Sequence, residues 1–292
     1  MSTTTTAIPA VLGLLSSLFF AASNVLVKRG LEGSNPLTAF FVDMVTGSIL
    51  FTALLPFVYP STSSSIALMG MFWLAVSGII GTTIGRMSQF YAIDRMGAAI
   101  ATPIANMFPL FSSLIAIFFL GELVTLFILI GTFLTVAGLF VITMGRQKRR
   151  WTKKYLVVPL ASAIFFGAGV ALRKFGLNLI PDPIFDVAIN VYAAMLSLLA
   201  FIAVTNQRRK IRMNRTSTVF FTLSGVANSL ALIALFGALN FGLVTIVGPL
   251  SAIAPLFVIL FAFLFLKRIE VVNRRIVIGA LLIVAGLVLI AA

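Results

Sequence analysis

The sequence predicts an all-α polytopic membrane protein: ten transmembrane helices arranged as two inverted five-helix repeats. Composition is the first reason. Hydrophobic residues make up 61% of the 292 residues, and the mean hydropathy is +1.16. Only 10% of residues are charged, whereas soluble domains carry about a quarter. The chain therefore has too little polar surface for a water-soluble globule.

An internal duplication is the second reason. Residues 16–31, SSLFFAASNVLVKRGL, return at 162–177 as SAIFFGAGVALRKFGL, an offset of 146 residues with eight identical positions. PIANMFPLF at 103–111 likewise matches PLSAIAPLF at 249–257. Repeated units of this kind in an apolar chain are typical of transporters built from two related halves.

The count of apolar runs is the third reason, since a membrane-spanning helix needs about 20 mostly apolar residues. Ten runs qualify, and short turn signals such as Asn35-Pro36, Met96-Gly97 and Pro181-Asp182-Pro183 separate them. The first run should be a retained span, because basic residues follow it instead of preceding it. The ten predicted spans are 8–29, 37–58, 70–92, 97–120, 124–145, 155–177, 184–205, 216–240, 243–266 and 273–291.

The spans divide into a first repeat at 1–145, a basic linker at 146–154 and a second repeat at 155–292. Because five is an odd number, the second repeat must enter the membrane from the opposite side. The two repeats are therefore expected to be inverted, related by a pseudo-two-fold axis in the membrane plane.

The basic residues predict the orientation in the plasma membrane. Of 21 Lys and Arg residues, eighteen fall on one side, Arg173 and Lys174 on the other, and Arg86 within a span. The positive-inside rule then places the basic loops in the cytoplasm and both termini outside. The eighteen are Lys28, Arg29, Arg95, Arg146, Lys148, Arg149, Arg150, Lys153, Lys154, Arg208, Arg209, Lys210, Arg212, Arg215, Lys267, Arg268, Arg274 and Arg275.

Two segments carry a family resemblance. FFAASNVLVKRGLEGSNPLTAFFVDM at 19–44 and YAIDRMGAAIATPIANMFPLFSSLIAIFFLGE at 91–122 resemble EamA-type members of the drug/metabolite transporter superfamily. The resemblance implies a ten-helix fold with a central solute cavity lined by spans 1, 3, 4, 6, 8 and 9. It also implies alternating access, often for export. Many ten-span relatives keep both termini cytoplasmic, opposite to the orientation that the charges predict.

Charged residues within the spans are the first candidates for a site, because intramembrane charge usually faces a cavity or a partner. Arg86 in span 3 and Asp43 in span 2 both lie roughly 10–12 Å from the cytoplasmic boundary, as does Asn24 in span 1. Their shared depth permits an Asp43–Arg86 ion pair. Arg86 would either grip an anionic group of a solute or serve, with Asp43, only to hold spans 2 and 3 together.

Uncharged polar residues extend the candidate list. Asn24, Gln89, Asn106 and Asn228 are predicted to bind solute together with Arg86, although Asn and Gln more often join helices by hydrogen bonds. Two pairs of prolines, one pair in span 4 and one in span 9, predict kinks that bend to open opposite mouths, or static bends inherited by duplication. These prolines are Pro103, Pro109, Pro249 and Pro255.

The leading hypothesis is a secondary-active carrier that exports a small metabolite, amino-acid-like or otherwise polar or amphipathic, by alternating access. A proton-driven exporter of lipophilic cations is the runner-up, and a non-transporting scaffold or lipid scramblase is a further possibility. An enzyme is disfavoured, because the chain has no His or Cys and no paired acids within its spans. No cofactor, metal or nucleic acid is expected. The expected partners are the lipid bilayer and the solute, and a monomeric state is compatible with this pattern.

Overall fold

A computed structural model describes residues 3–58, 64–111, 126–143, 153–242, 247, 250–251, 253–266 and 273–290. Within these ranges all regular secondary structure is helical. The first half contains α1 Thr3–Gly30, α2 Pro36–Leu54, α3 Ser64–Ser77, a π-helical segment Gly78–Arg86, α4 Met87–Met96, α5 Ala98–Ala105 and α6 Leu126–Thr143. The second half contains α7 Val157–Leu179, α8 Pro183–Val204, α9 Arg215–Phe241, α10 Ala254–Phe265 and α11 Arg274–Ile290.

Six helical stretches are long and apolar enough to cross a membrane: Ile8–Gly30, Pro36–Phe57, Ala67–Met96, Lys154–Leu179, Pro183–Val204 and Arg215–Phe241. They coincide with predicted spans 1, 2, 3, 6, 7 and 8. Two shorter apolar helices, Ala98–Phe111 and Ala254–Phe265, fall in predicted spans 4 and 9. The all-helical, multi-span class is confirmed, and the total of ten crossings stays a prediction.

The second span of each half begins with the same local chemistry. Asn35 caps α2 by accepting from the amide of Thr38 at 3.0 Å. Asp182 caps α8 by accepting from the amide of Phe185 at 3.1 Å. A proline follows each cap in the first helical turn, where its missing N–H costs nothing. The turn signals in the sequence therefore work as helix starts.

Helix pairing joins the two halves. α1 packs along α9, α3 and the π segment pack along α7, and α6 packs along α11. Exchanging the halves maps the first pair onto the second and the third onto itself, which is the pattern of a two-fold repeat. Glycines allow the closest approaches: a Cβ on Gly169 would lie 2.7 Å from the Cα of Gly81.

Hydrogen bonds show that the repeats run in opposite directions. Arg86 bonds Ser23 and Lys28 bonds the carbonyl of Ile93, so α1 runs parallel to the π segment and α4. Ser77 donates to the carbonyl of Gly169 and Ser162 to that of Gly85, so α7 runs antiparallel to the same segment. The repeated helices α1 and α7 are therefore inverted with respect to one another.

A repeated lysine joins the first and third spans of each half by a hydrogen bond near their carboxyl ends. The Nζ of Lys28 donates to the carbonyl of Ile93 at 3.3 Å, near the end of α4. In the second copy the Nζ of Lys174 donates to the carbonyl of Leu239 at 2.8 Å, near the end of α9. Cations favour the carboxyl ends of helices, where carbonyls lack intrahelical partners. The duplicated Lys thus has a structural role in both copies.

The prolines of spans 4 and 9 correct the prediction of simple kinks. Pro103 lies inside α5, but α5 ends at Ala105, and a turn at 106–107 precedes the next helical residues at 108–111. Pro109 therefore sits just after a break in the helix. Pro255 likewise lies in the first turn of α10, which follows a turn residue at 253. Spans 4 and 9 are therefore each interrupted by a turn and not only bent. Pro109 and Pro255 lie early in the helical residues that follow, where proline is tolerated. Pro249 lies outside the described residues.

Candidate functional site

A cavity lies between the two halves of the molecule. Residues from each of predicted spans 1, 3, 4, 6, 8 and 9 line it, the six spans that the resemblance implied. The first half contributes the polar side chains of Asn24, Arg86, Gln89 and Asn106, and the second half those of Arg173 and Asn228. The site is therefore built across the pseudo-two-fold axis.

The cavity is small. The space open to the centres of water molecules is about 60 Å³. One water molecule occupies about 10–15 Å³ by this measure, so the space holds roughly four to six waters. Most of the lining is apolar, with the rings of Phe20 and Phe166 supplied by matching positions of the repeat. Such a lining suits an amphipathic solute or part of one.

Arg86 lies at the end of the π-helical segment and holds one wall of the cavity together. Its Nη2 donates to the Oγ of Ser23 at 2.6 Å, and its Nη1 donates to the Oε1 of Gln89 at 3.3 Å. The Oγ of Ser23 also lies 2.8 Å from that of Ser224. One guanidinium thus connects α1, α4 and, through Ser23, α9.

Asp43 on α2 lies behind this wall and is fully buried. Its Oδ2 is 3.5 Å from the Nε of Arg86, and it accepts a hydrogen bond from the Nδ2 of Asn228 at 3.2 Å. This separation between Asp43 and Arg86 is short enough for an ion pair, but the contact does not have the geometry of a hydrogen bond. The ion pair that the sequence permitted is present, and its negative charge does not line the cavity.

The π-helical segment positions these groups. The wider helical turns at Gly78–Arg86 rotate the side chains of α4 relative to those of α3, which precedes the segment in span 3. Thr82 and Arg86, one turn apart within it, both line the cavity. Such segments are rare and often occur at functional sites. The helical pattern of the sequence does not predict this segment; glycines at 78, 81 and 85 lie within it.

Two arginines lie over the two copies of one phenylalanine. The guanidinium carbon of Arg86 is 4.8 Å from the ring centre of Phe90, and that of Arg173 is 5.5 Å from the ring centre of Phe236. Phe90 and Phe236 are equivalent in the repeat, but the arginines are not: their repeat partners are Leu232 and Val27. Cation–π contact stabilises each charge where water is excluded.

Thr102 connects the two asparagines of the first half. Asn24 on α1 donates to the Oγ1 of Thr102 at 3.4 Å, and Asn106 donates to the carbonyl of Thr102 at 2.9 Å. Asn106 occupies the turn after α5, so the break in span 4 brings it to the cavity. In discontinuous helices of this kind, unwound backbone and its neighbours form solute sites.

Comparison with known proteins identifies the family. The profile of the EamA-like transporter family matches residues 7–144 and matches again at residues 153–292. The chain belongs to the EamA-like transporter family.

Members of this family are membrane transporters and not enzymes, which agrees with the composition of the spans. The pseudopaline exporter CntI of Pseudomonas aeruginosa is 28% identical over 165 residues, covering 56% of each chain. LicB of Haemophilus influenzae is 27% identical over 143 residues, covering 46% of this chain and 47% of LicB. The match thus spans about half the length of these curated relatives. A crystal structure with 17% sequence identity superposes with a TM-score of 0.68, covering 96% of this chain and 95% of the other, and supports the fold.

All five residues predicted from sequence to bind solute line the cavity of this EamA-like chain: Asn24, Arg86, Gln89, Asn106 and Asn228. Asn190 on α8 is also buried within a span but lies elsewhere. It accepts from the Oγ1 of Thr82 at 2.7 Å and donates to the Oγ of Ser77 at 3.0 Å, joining α8 to span 3. Asn190 therefore joins helices without lining the cavity.

Arg173 was not among the residues predicted to bind solute. The charge count assigned it with Lys174 to the outer side of the membrane, and the structure adds that its side chain is 5% exposed and lines the cavity. The repeat carried the missing signal. Lys174 matches Lys28, whereas Arg173 matches the buried Val27 one residue further inward. Neighbouring residues on a helix face directions about 100° apart, so one can reach the helix end and the other the interior.

Asp186 is a second acid that the sequence analysis did not single out. It lies in the first turn of α8 and is fully buried. Among the described residues, neither of its carboxylate oxygens has a hydrogen-bond partner. Asp186 does not line the cavity. Among the residues that the structure describes, the lining contains two arginines and no acidic side chain.

Proposed function

We propose that this chain is a secondary-active exporter that moves a small amphipathic metabolite across the membrane by alternating access. The cavity between the inverted repeats is the single observation that supports this most. Its polar side chains come from both halves, so a rocking motion of the halves would change all contacts to a bound solute together. Family membership supports transport, and the similarity to the pseudopaline exporter CntI supports export.

The runner-up, proton-driven export of lipophilic cations, fits this cavity less well. That chemistry requires a carboxylate that a proton and a cation can reach in competition. Asp43 is instead occupied by Arg86 and Asn228 behind the cavity wall. The described lining presents arginine to a solute, and arginine repels cations.

Filling the cavity tests the transport proposal. Val170 is 4% exposed and lines the cavity at the position that matches Asn24. Val170→Phe is expected to abolish solute counterflow in proteoliposomes, because the larger ring takes up most of a space of about 60 Å³. A thermal-shift screen of amino acids, nucleosides, sugars and quaternary amines would first supply a binding solute, since ligands stabilise the folded state.

Val219→Phe is the matched control, because Val219 lies on the outer face of α9 with 52% of its surface exposed. It should retain counterflow at the native rate. Full counterflow by a folded Val170→Phe protein would show that solute does not pass through this cavity and would contradict the proposal. Leu235→Trp, at another position that lines the cavity, repeats the test should the first variant fail to fold.

We further propose that the basic loops face the cytoplasm and that both termini lie outside, in the plasma membrane. The loop after α1 and the loop before α9 meet at one end of the molecule, where Asn35 donates to the carbonyl of Lys210 at 2.7 Å. Arg95 lies at the same end, so these basic residues share one side. The positive-inside rule favours the cytoplasm for that side.

Single cysteines give a direct test of this orientation, because the native chain contains none. In intact cells, a membrane-impermeant maleimide should label Pro181→Cys, at the opposite end of the molecule, and should leave Arg209→Cys unlabelled until the cells are lysed. Both positions are exposed. The reverse labelling pattern would mean that both termini are cytoplasmic.

A further inference from the structure

The charges around the cavity do not balance. Arg86 lies beside Asp43, and Asn228 adds a hydrogen bond to the same carboxylate oxygen, so this group is neutral as a whole. Arg173, within α7, also lines the cavity. No acidic side chain within the described ranges lies within 4.0 Å of it. The lining therefore carries one uncompensated positive charge.

The protein satisfies Arg173 only in part. Its Nη2 donates to the Oγ1 of Thr82 at 3.2 Å, and its guanidinium lies over the ring of Phe236. Among the described residues, its Nε has no hydrogen-bond partner. A guanidinium offers five N–H donors in a planar fork that matches a carboxylate or phosphate, and burying it without an anion is costly. A site that keeps such a group is prepared to receive an anion.

Hydrogen-bond acceptors lie nearby. Asn228 must donate its Nδ2 to Asp43, which fixes its Oδ1 as an acceptor, and this buried oxygen has no partner within the described structure. The Oδ1 of Asn24 is in the same condition. Buried polar atoms of native proteins normally find partners, so these two oxygens call for a donor on the bound molecule.

We propose that Arg173 binds the anionic group of the transported solute, and that the solute also carries a hydrogen-bond donor that meets Asn24 and Asn228. This inference rests on the proposed transport function and assigns the substrate class of the same cavity. Arg86 is a positioning residue: it holds α1 and span 3 around the site while Asp43 cancels its charge. The anionic group is a carboxylate or a phosphate, which share the geometry that a guanidinium recognises.

Matched small molecules test the charge requirement. We expect hydroxyisocaproate to raise the unfolding temperature of the purified full-length protein, and its primary amide and isoamylamine to have little effect. Isoamyl phosphate distinguishes the two anion classes. Arg173→Gln should weaken anion binding about ten- to hundredfold, the value of a hydrogen bond to a charged group. Arg173→Lys should recover part of it, and the exposed control Arg215→Gln should change nothing.

The unliganded protein gives a second measurement that needs no ligand. Arg173→Gln should be as stable as the native protein or more so, because the substitution removes an uncompensated buried charge. Destabilisation as large as that of Arg86→Gln would show that Arg173 has a structural partner and would overturn the inference. If the amide or the amine stabilised the native and Arg173→Gln proteins equally, the anion-binding inference would also be overturned. The transport proposal would be unaffected by that result. Failure of the transport proposal shows itself separately, as counterflow through a folded Val170→Phe protein.

Discussion

Asp43→Asn is expected to destabilise the folded protein by about 3–5 kcal/mol, the cost of leaving one partner of a buried ion pair unpaired. Arg86 would then lie in the membrane interior 5.7 Å from the ring centre of Phe20 with no carboxylate beside it. Arg86→Met should cost a similar amount, because it leaves Asp43 alone. The double variant should recover most of the loss, which unfolding of the purified proteins in detergent would measure.

Transport by the same variants decides the role of the pair. If Arg86 only joins helices, the double variant should transport with native affinity as well as fold. If Arg86 also shapes the cavity through Ser23 and Gln89, stability should return while transport stays impaired. Asp94→Asn is the control, since Asp94 lies at the surface 3.8 Å from the exposed Arg95. Such a pair is worth at most about 1 kcal/mol. Equal losses at both sites would contradict the special position of Asp43.

Gly169→Ala is expected to have the second large effect, lowering stability by about 1–3 kcal/mol. Gly169 on α7 meets Gly81 in the π-helical segment, and an added Cβ would lie 2.7 Å from the Cα of Gly81. Backbone cannot move aside as a flexible side chain can, so the two halves must separate at this crossing. The thermal unfolding temperature of the detergent-purified protein measures the loss.

Gly237→Ala is the matched control for this substitution. Within the part of the chain that the structure describes, a Cβ on Gly237 would meet only the Cδ1 of Leu12, at 3.4 Å, which is ordinary van der Waals contact. The control should unfold at or near the native temperature. Indistinguishable behaviour of the two variants would show that α7 and span 3 do not cross as closely as described. A change in solute counterflow by the Gly169→Ala protein would show in addition that this helix crossing affects the neighbouring cavity.

The internal repeat accounts for several of the tertiary contacts. Glycines at 131 and 138 return at 279 and 286, and they meet where α6 crosses α11. The repeated Lys28 and Lys174 bond equivalent carbonyls in the two halves. Duplicated residues make equivalent contacts because two inverted repeats with the same fold form each contact twice, once in each half.

The charged residues followed a different rule, since Arg86 and Arg173 have no charged counterparts in the other repeat. Depth along the helix brought Asp43 and Arg86 to the same level, and this could be counted from sequence. The direction in which each side chain points depends on the rotation of its helix against its neighbours. That rotation could not be read from the sequence, so Arg173 was not among the predicted site residues.

The sequence by itself determined the membrane class, the helical spans and the two-fold repeat. These properties are local, because in lipid each backbone N–H and C=O must be bonded within its own helix, and apolar length decides which segments can cross. Only the tertiary structure decided which side chains meet: that Asp43 cancels Arg86, that span 4 breaks at Asn106, and that Arg173 lies uncompensated in the cavity. Such contacts arise between helices far apart in the chain, where packing and the π-helical change of register set each helix face.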